Sequence, residues 1–163
     1  MGNMFHGGGR SLDLSNSGTA VFIDVLTLAV SDLARSPWDY RFAALLTLQD
    51  QNVMGRGAVG FDLEDIDWGR SPRQRADAKD FVLRVLDLAL RHHRWDELDY
   101  SPPHAEGYLW QYHEVVAAFD PADARPRGGC TFPGPDEAAV ASCVRHRVLS
   151  AIPHWEGCVL CHA

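Results

Sequence analysis

The sequence predicts a mainly α-helical protein that folds as a single domain. Three observations predict this class. Apolar residues recur at helical spacing in five segments, a Ser-Pro pair precedes three of those segments, and no sustained alternation of apolar and polar residues is present. With 163 residues, of which 46% are hydrophobic, the chain is long enough to bury one core, so residues 1–163 are treated as one domain.

Five helices are predicted in order along the chain. The first covers about 19–34, and the fifth runs from about 135 to 151, before Pro153 ends it. The three between them begin at Ser-Pro pairs, because serine is a good N-cap and proline is tolerated in the first helical turn. Those pairs are Ser36-Pro37, Ser71-Pro72 and Ser101-Pro102. Asp39 and Gln74 lie where a capping box would place its second side chain.

The remaining segments are predicted to be loops. Long loops are expected at 52–70 and 120–134, with a short extended piece at about 58–63. The N-terminal residues 1–17 are rich in glycine and polar residues, and we predict that they are flexible. They contain no apolar run like that of a secretory signal, and no segment is apolar enough to span a bilayer, so a cytoplasmic location is expected.

Cysteine placement predicts a zinc site in the C-terminal segment, 128–163. All four cysteines lie in the last 34 residues of the chain. Cys158 and Cys161 are separated by two residues, a gap that lets both sulfurs reach one ion. Cys143 and His146 lie three residues apart, on one side of the predicted fifth helix, and could supply the other two ligands. Four protein ligands leave no open position, which favours a structural zinc over a catalytic one.

The exact ligand set stays open at this point. Cys130 could replace His146, and either His154 or His162 could replace another ligand. The cysteines could instead be ordinary buried thiols or a redox pair. Residues 158–162 also have the Cys-x-x-Cys-His spacing of c-type haem attachment, but that chemistry follows export, and no export signal is present.

An acidic loop is the second candidate site. Its carboxylates alternate with large apolar residues, and we predict that it contacts a basic partner, with the acids steering association. The alternative is a solvated loop whose aromatic side chains pack inward. The predicted contact residues are Asp62, Glu64, Asp65, Asp67 and Trp68.

Composition and motifs favour a binding function over an enzymatic one. The formal charge of −7 disfavours general nucleic-acid binding. No catalytic motif is complete, so the favoured hypothesis is an acidic, zinc-stabilised protein-binding module, such as an inhibitor or immunity-type protein that neutralises a basic partner. One alternative is a metal-dependent enzyme using histidines of the third and fourth helices. A further alternative is a nucleic-acid regulator using Arg145, His146 and Arg147. The histidines of the enzyme hypothesis are His92, His93, His104 and His113.

Overall fold

The computed structural model describes residues 3–50, 59–126, 132–138, 141–151 and 158–162, with the backbone alone at 159 and 162. These residues contain four α-helices, two antiparallel β-hairpins and several short 3-10 helices, so the prediction of a mainly α protein is confirmed. The strands are β1 (Asn3–Gly7), β2 (Arg10–Leu14), β3 (Ala141–Ser142) and β4 (Leu149–Ser150). The helices are α1 (Asn16–Leu33), α2 (Pro37–Thr47), α3 (Pro72–Leu90) and α4 (Ala105–Ala118).

Capping side chains define where α2 and α3 begin. The Ser36 hydroxyl accepts a hydrogen bond from the Asp39 amide, and the Asp39 carboxylate accepts one from the Ser36 amide. Ser71 and Gln74 form the same reciprocal box at the start of α3. Both predicted starts are therefore confirmed, and each box satisfies amides that have no partner within the helix.

The predicted start of the next helix differs from the observed one. α4 begins at Ala105, after His104 in a left-handed conformation (φ 60°) that provides no side-chain cap. Pro103 disfavours helical backbone at Pro102, which precedes it, so the helix forms only beyond the second proline.

The N-terminal residues, predicted to be flexible, instead form a hairpin. β1 pairs with β2 in the register Asn3↔Leu14 through Gly7↔Arg10. The hairpin is anchored because Phe5 is fully buried and the side-chain Nδ2 of Asn3 donates to Thr19 Oγ1 at 2.7 Å. The predicted extended piece is present beside it, where the His6 amide donates to the Phe61 carbonyl at 3.0 Å.

Two aromatic clusters mark the core. In the first, Phe5, Phe22, Phe61 and Tyr112 meet edge to face, with ring centroids 5.2–6.5 Å apart. This cluster joins the N-terminal hairpin to α1 and α4. Such edge-to-face pairs add specificity to the burial of large apolar surfaces.

The second cluster lies where α2 approaches α3. Trp38 stacks on Phe42 with centroids 5.6 Å apart and rings almost parallel, and Trp68 lies 5.6 Å away from Trp38. The edge of Phe81 faces Trp38 at 6.2 Å. This cluster fixes the loop that precedes α3 against both helices.

The prediction of a fifth helix at about 135–151 is wrong. The described part of 135–151 contains a turn at 135–138 and then the hairpin β3–β4, in which Ala141 pairs with Ser150 and Ser142 with Leu149. Val144 and Val148 would share a face on a helix, yet Val144 is 90% exposed and Val148 is 1% exposed. The valine spacing therefore does not reflect a helix.

The described helices give no candidate for a membrane span, since none combines the length and apolar character that crossing a bilayer needs. Buried side chains from Phe5 to Leu160 belong to one hydrophobic cluster. The C-terminal hairpin is thus packed against the same core as the helices, which positions the site described next.

Candidate metal centre

Two short turns bring four cysteine and histidine side chains together. The first is the turn of the β3–β4 hairpin, which carries Cys143 and His146. The Cys143 amide donates a hydrogen bond to the Val148 carbonyl at 2.9 Å, and the Arg147 amide donates one to the Cys143 carbonyl at 2.5 Å. Arg147 has a left-handed backbone (φ 55°), which closes the turn so that both ligand side chains face one point.

The second turn is the 3-10 helix at Val159–His162, which begins directly after Cys158. The Cys161 amide donates to the Cys158 carbonyl at 3.0 Å, and this tight turn places both sulfurs on one side. Leu160 is 7% exposed and anchors the turn in the core, while Cys161 itself is exposed.

The four donor atoms lie within 4.8 Å of one another. The three thiols belong to Cys143, Cys158 and Cys161, and the nitrogen is Nδ1 of His146. This nitrogen is 3.7 Å from Cys143 Sγ, 3.2 Å from Cys158 Sγ and 3.4 Å from Cys161 Sγ. Cys161 Sγ is 3.7 Å from both Cys143 Sγ and Cys158 Sγ.

These separations match the edges of a metal-centred tetrahedron. With Zn–S bonds of about 2.3 Å and Zn–N bonds of about 2.0–2.1 Å, tetrahedral geometry places two sulfurs about 3.8 Å apart and a sulfur and a nitrogen about 3.5 Å apart. Five of the six separations lie close to these values, at 3.7 Å for two sulfur pairs and 3.2–3.7 Å between sulfur and nitrogen, and the remaining pair, Cys143 Sγ and Cys158 Sγ, lies within 4.8 Å. The four residues could therefore hold one metal ion.

The thiols differ in their readiness to ionise. The backbone amide of His146 hydrogen-bonds to Cys143 and lowers the pKa of that thiol to about 6. Burial raises the pKa of the Cys158 thiol to about 12. Since metals bind thiolates, Cys143 presents a ligand in the ionised form near neutral pH, whereas Cys158 would lose its proton on binding the ion.

Residues from the helical part hold the first turn in place. Arg94 Nη2 donates to the His146 carbonyl at 2.6 Å, and the same guanidinium bonds to Glu97 and lies 3.4 Å from Asp32 Oδ2. The hydrogen bond to Glu97 raises the pKa of Arg94, so its charge is permanent. Arg94 is distant from the ligands in sequence, and no pattern in the sequence indicates its role.

Two hydrogen bonds from backbone amides to side-chain hydroxyls attach β4 and the residue that follows it to the first two helices. The Leu149 amide donates to Ser31 Oγ on α1, and the Ala151 amide donates to Thr47 Oγ1 on α2, both at 2.9 Å. The hairpin is thus connected to α1 and α2 by directed bonds as well as by buried side chains.

The remaining predicted metal ligands are not tested. Cys130 and His154 lie outside the described residues, and only the backbone of His162 is described. Their participation stays a prediction. The set Cys143, His146, Cys158 and Cys161 is brought together as the sequence spacing indicated, although a hairpin rather than a helix carries its first pair.

The histidines of the alternative enzyme hypothesis do not converge. His93 Nε2 lies 2.6 Å from Asp32 Oδ2, His113 Nε2 lies 3.3 Å from Asp87 Oδ1, and His92 pairs with Glu106. His104 precedes α4, with its ring 6.3 Å from that of Tyr108. In the part of the chain that the structure describes, the only group of three or more potential metal ligands is the C-terminal one.

The acidic loop has its apolar side chains turned inward. Trp68 is 2% exposed, and its Nε1 donates to the Leu63 carbonyl at 2.8 Å. Asp62 Oδ1 accepts from the Glu64 amide at 2.9 Å, and Asp67 Oδ2 lies 3.3 Å from Arg41 Nη2. Asp67 is exposed, whereas Asp62, Glu64 and Asp65 are half-buried. Contact with a partner stays a prediction for all five residues of this loop.

Comparison with known proteins assigns no function to the chain. Searches of protein families, of curated proteins and of solved structures gave no match. The chemistry of the four converging ligands is therefore the strongest basis for a functional proposal.

Proposed function

We propose that the protein is a binding module whose C-terminal segment is held by a structural zinc ion. The ligands are Cys143, His146, Cys158 and Cys161. One observation carries the proposal, namely that all four donor atoms lie within 4.8 Å of one another and that five of their six separations fit the edges of a tetrahedron around one ion.

The donor set favours zinc over other ions. Three thiolates and one imidazole are the ligands of a common structural zinc site, whereas calcium and magnesium prefer oxygen. Thiolate ligands also persist best in a reducing compartment, which agrees with the proposed cytoplasmic location.

A closed ligand set supports a structural role. The four side chains fill all positions of a tetrahedral ion, so no position is left for a substrate or a reactive water molecule. The strands β3 and β4 have two residues each, and the 3-10 helix has four, so these elements contribute few backbone hydrogen bonds of their own. Binding of zinc would supply the free energy that such short elements lack.

The zinc proposal is tested by metal analysis together with thiol titration. We expect one zinc per chain by native mass spectrometry, and slow modification of three of the four cysteines. The matched control is Cys130→Ser, which should keep the zinc because Cys130 is not in the proposed set. A folded, metal-free protein with four reactive thiols would contradict the proposal, and loss of zinc from Cys130→Ser would favour the rival ligand set.

We further propose a basic protein as the partner, as for an inhibitor or immunity-type protein. The net charge of −7 and the four carboxylates at residues 62–67, one exposed and three half-buried, support this part of the proposal. Charge of this kind accelerates capture of an oppositely charged protein and makes association sensitive to salt.

The partner proposal is tested with amide substitutions that keep side-chain shape. Replacing Asp62 and Asp67 by Asn, Glu64 by Gln and Asp65 by Asn changes the formal charge from −7 to −3 (four charges removed). We expect slower association with the partner that co-purifies with the chain, and a weaker dependence of the rate on salt. The matched control neutralises four other exposed carboxylates, at Asp96, Glu114, Asp136 and Glu137. If the two quadruple variants changed the association rate and its salt dependence equally, the acidic loop would not be the binding surface.

A further inference from the structure

A cleft of about 610 Å³ lies between the start of α2 and the first half of α3, on residues separate from the metal centre. A volume of this size is typical of sites for small molecules, which are built from apolar surface and a few placed polar groups. The cleft has both kinds of lining. The residues used in the following argument are Trp38, Asp67, Arg70, Gln74, Asp77 and Arg84.

The apolar wall of the cleft is a fixed tryptophan ring. Trp38 is half-buried, and its Nε1 donates to the Asp67 carbonyl at 2.6 Å. The ring also stacks on Phe42, with centroids 5.6 Å apart and an interplanar angle of 5°. Trp68 and Phe132 lie 5.6 and 5.8 Å from the same ring, so its orientation is fixed, and the part of Trp38 that stays exposed can contact a ligand without a further loss of side-chain entropy.

Several charged groups at the cleft already have partners. Both amides that precede α2, those of Arg35 and Ser36, donate to Asp39 Oδ2. The Asp67 carboxylate pairs with Arg41 at 3.3 Å. Arg84 pairs with Asp80 at 3.0 Å. The Asp39 carboxylate is therefore engaged in capping α2, and the charges of Asp67 and Arg84 are compensated by Arg41 and Asp80.

Two opposite charges remain, one at Arg70 and one at Asp77. Both are exposed, and neither side chain has a partner among the residues that the structure describes. The backbone of Arg70 is fixed, because its amide donates to Gln74 Oε1 at 2.8 Å. The neighbouring Gly69 has φ +107°, and a Cβ there would lie 2.7 Å from Gln74 Cβ, so glycine permits this close approach.

We propose that the cleft binds a small zwitterion that carries an aromatic group, of which a free aromatic amino acid is the simplest example. The ligand carboxylate pairs with the Arg70 guanidinium, its ammonium group pairs with Asp77, and its ring packs against Trp38. A ligand with several negative charges would be repelled by Asp77, and a purely cationic ligand would be repelled by Arg70. The site is independent of the zinc and partner proposals, since it shares no ligand with the metal centre.

The first test uses three probes that differ in one charge each. Isothermal titration calorimetry should detect binding of L-phenylalanine. N-acetyl-L-phenylalanine lacks the ammonium charge and L-phenylalaninamide lacks the carboxylate, so each should bind at least about tenfold more weakly. No detectable binding of L-phenylalanine at millimolar concentration, or equal binding of the three probes, would overturn the proposal.

The second test assigns the charges to residues. Arg70→Gln should weaken binding of L-phenylalanine about tenfold or more but leave binding of L-phenylalaninamide unchanged, because that probe has no carboxylate. Asp77→Asn should weaken binding of L-phenylalanine but leave binding of N-acetyl-L-phenylalanine unchanged, because that probe has no ammonium group. Arg73→Gln, an exposed neighbour outside the cleft lining, is the matched control and should change nothing. Unchanged L-phenylalanine affinity in both Arg70→Gln and Asp77→Asn would overturn the proposal, and far-ultraviolet circular dichroism establishes that each variant is folded.

Discussion

The helical part of the molecule and its C-terminal segment are organised by different forces. The described residues between 16 and 118 contain four helices of 11 to 19 residues, whose buried faces surround large aromatic side chains. Residues 141–162 contain strands of two residues each and a 3-10 helix of four. The first region is held by apolar burial and capping, whereas the second combines buried side chains with four potential metal ligands whose donor atoms lie within 4.8 Å of one another. Removing the metal should therefore separate the two regions experimentally.

The largest expected effect is that of removing two metal ligands. Cys158→Ser combined with Cys161→Ser should abolish zinc binding and expose the C-terminal segment to proteases, because structural zinc contributes on the order of 10–16 kcal/mol in small zinc domains. The helical circular dichroism signal should remain. The control Ser142→Ala alters an exposed residue next to a ligand and should keep both zinc and protease resistance. Loss of helical signal together with zinc would contradict the separation of the two regions.

A substitution in the helical core should have the next largest effect. Phe22 is fully buried and its ring contacts those of Phe5 and Tyr112, so Phe22→Ala should lower the free energy of unfolding by about 3–5 kcal/mol. Urea unfolding at saturating zinc measures this change. Trp110→Ala is the control, since Trp110 is 58% exposed and should change the free energy by less than about 0.5 kcal/mol. A Phe22→Ala protein that folds but no longer binds zinc would show that the metal centre depends on this core.

The helical part should also become less stable as pH rises, because of Asp24. Burial on α1 raises the pKa of this carboxyl from 3.8 to about 6, although a 2.5 Å hydrogen bond from the Tyr100 hydroxyl opposes the rise. A folded-state pKa above the unfolded value means that the folded state binds the proton more tightly. The contribution of Asp24 to stability is therefore most favourable below about pH 4 and falls as pH rises through 6, by about 3 kcal/mol in total.

The variant Asp24→Asn tests this pH dependence. The free energy of unfolding of the variant, relative to that of the parent protein, should increase between pH 4 and 7, since the amide carries no charge at either pH. Urea titrations of both proteins, performed without zinc, isolate the contribution of Asp24 from metal binding. Parallel pH profiles for the two proteins would show that the Asp24 carboxyl is not perturbed.

The smallest expected effect concerns helix capping. Ser71→Ala should lower the free energy of unfolding by about 1 kcal/mol, because the Ser71 hydroxyl accepts a hydrogen bond from the Gln74 amide at 3.1 Å. Ser101→Ala is the matched control, since Ser101 also precedes a proline but does not cap α4. Urea unfolding should therefore distinguish the two serines, and equal losses would argue against the capping box as the origin of the stability.

Local signals explain what could be predicted from the sequence. The starts of α2 and α3 were predictable because Ser36 and Ser71 satisfy amides only a few residues away. The ligand set was predictable because two-residue gaps are set by the reach of side chains to one ion, whatever backbone carries them. The element that carries Cys143 was not predictable, because a short hairpin turn has no periodic apolar pattern.

Long-range packing explains what was missed. The N-terminal hairpin has only five residues in each strand, and one of its inward-facing positions is Gly7. A Cβ at Gly7 would lie 2.5 Å from Leu63 Cδ1, so a feature that suggests flexibility in the sequence is a packing requirement in the fold. Arg94 was missed for a similar reason, because its bond to the His146 carbonyl spans 52 residues.

The most direct test of the account is hydrogen exchange of the intact protein with and without a zinc chelator. With zinc bound, amides such as those of Cys143, Leu149 and Cys161 should be protected along with those of the helices. After chelation, residues 141–162 should lose protection while α1, α3 and α4 keep theirs. Unchanged protection of residues 141–162 in metal-free protein, or simultaneous loss of protection in the helices, would contradict the central claim.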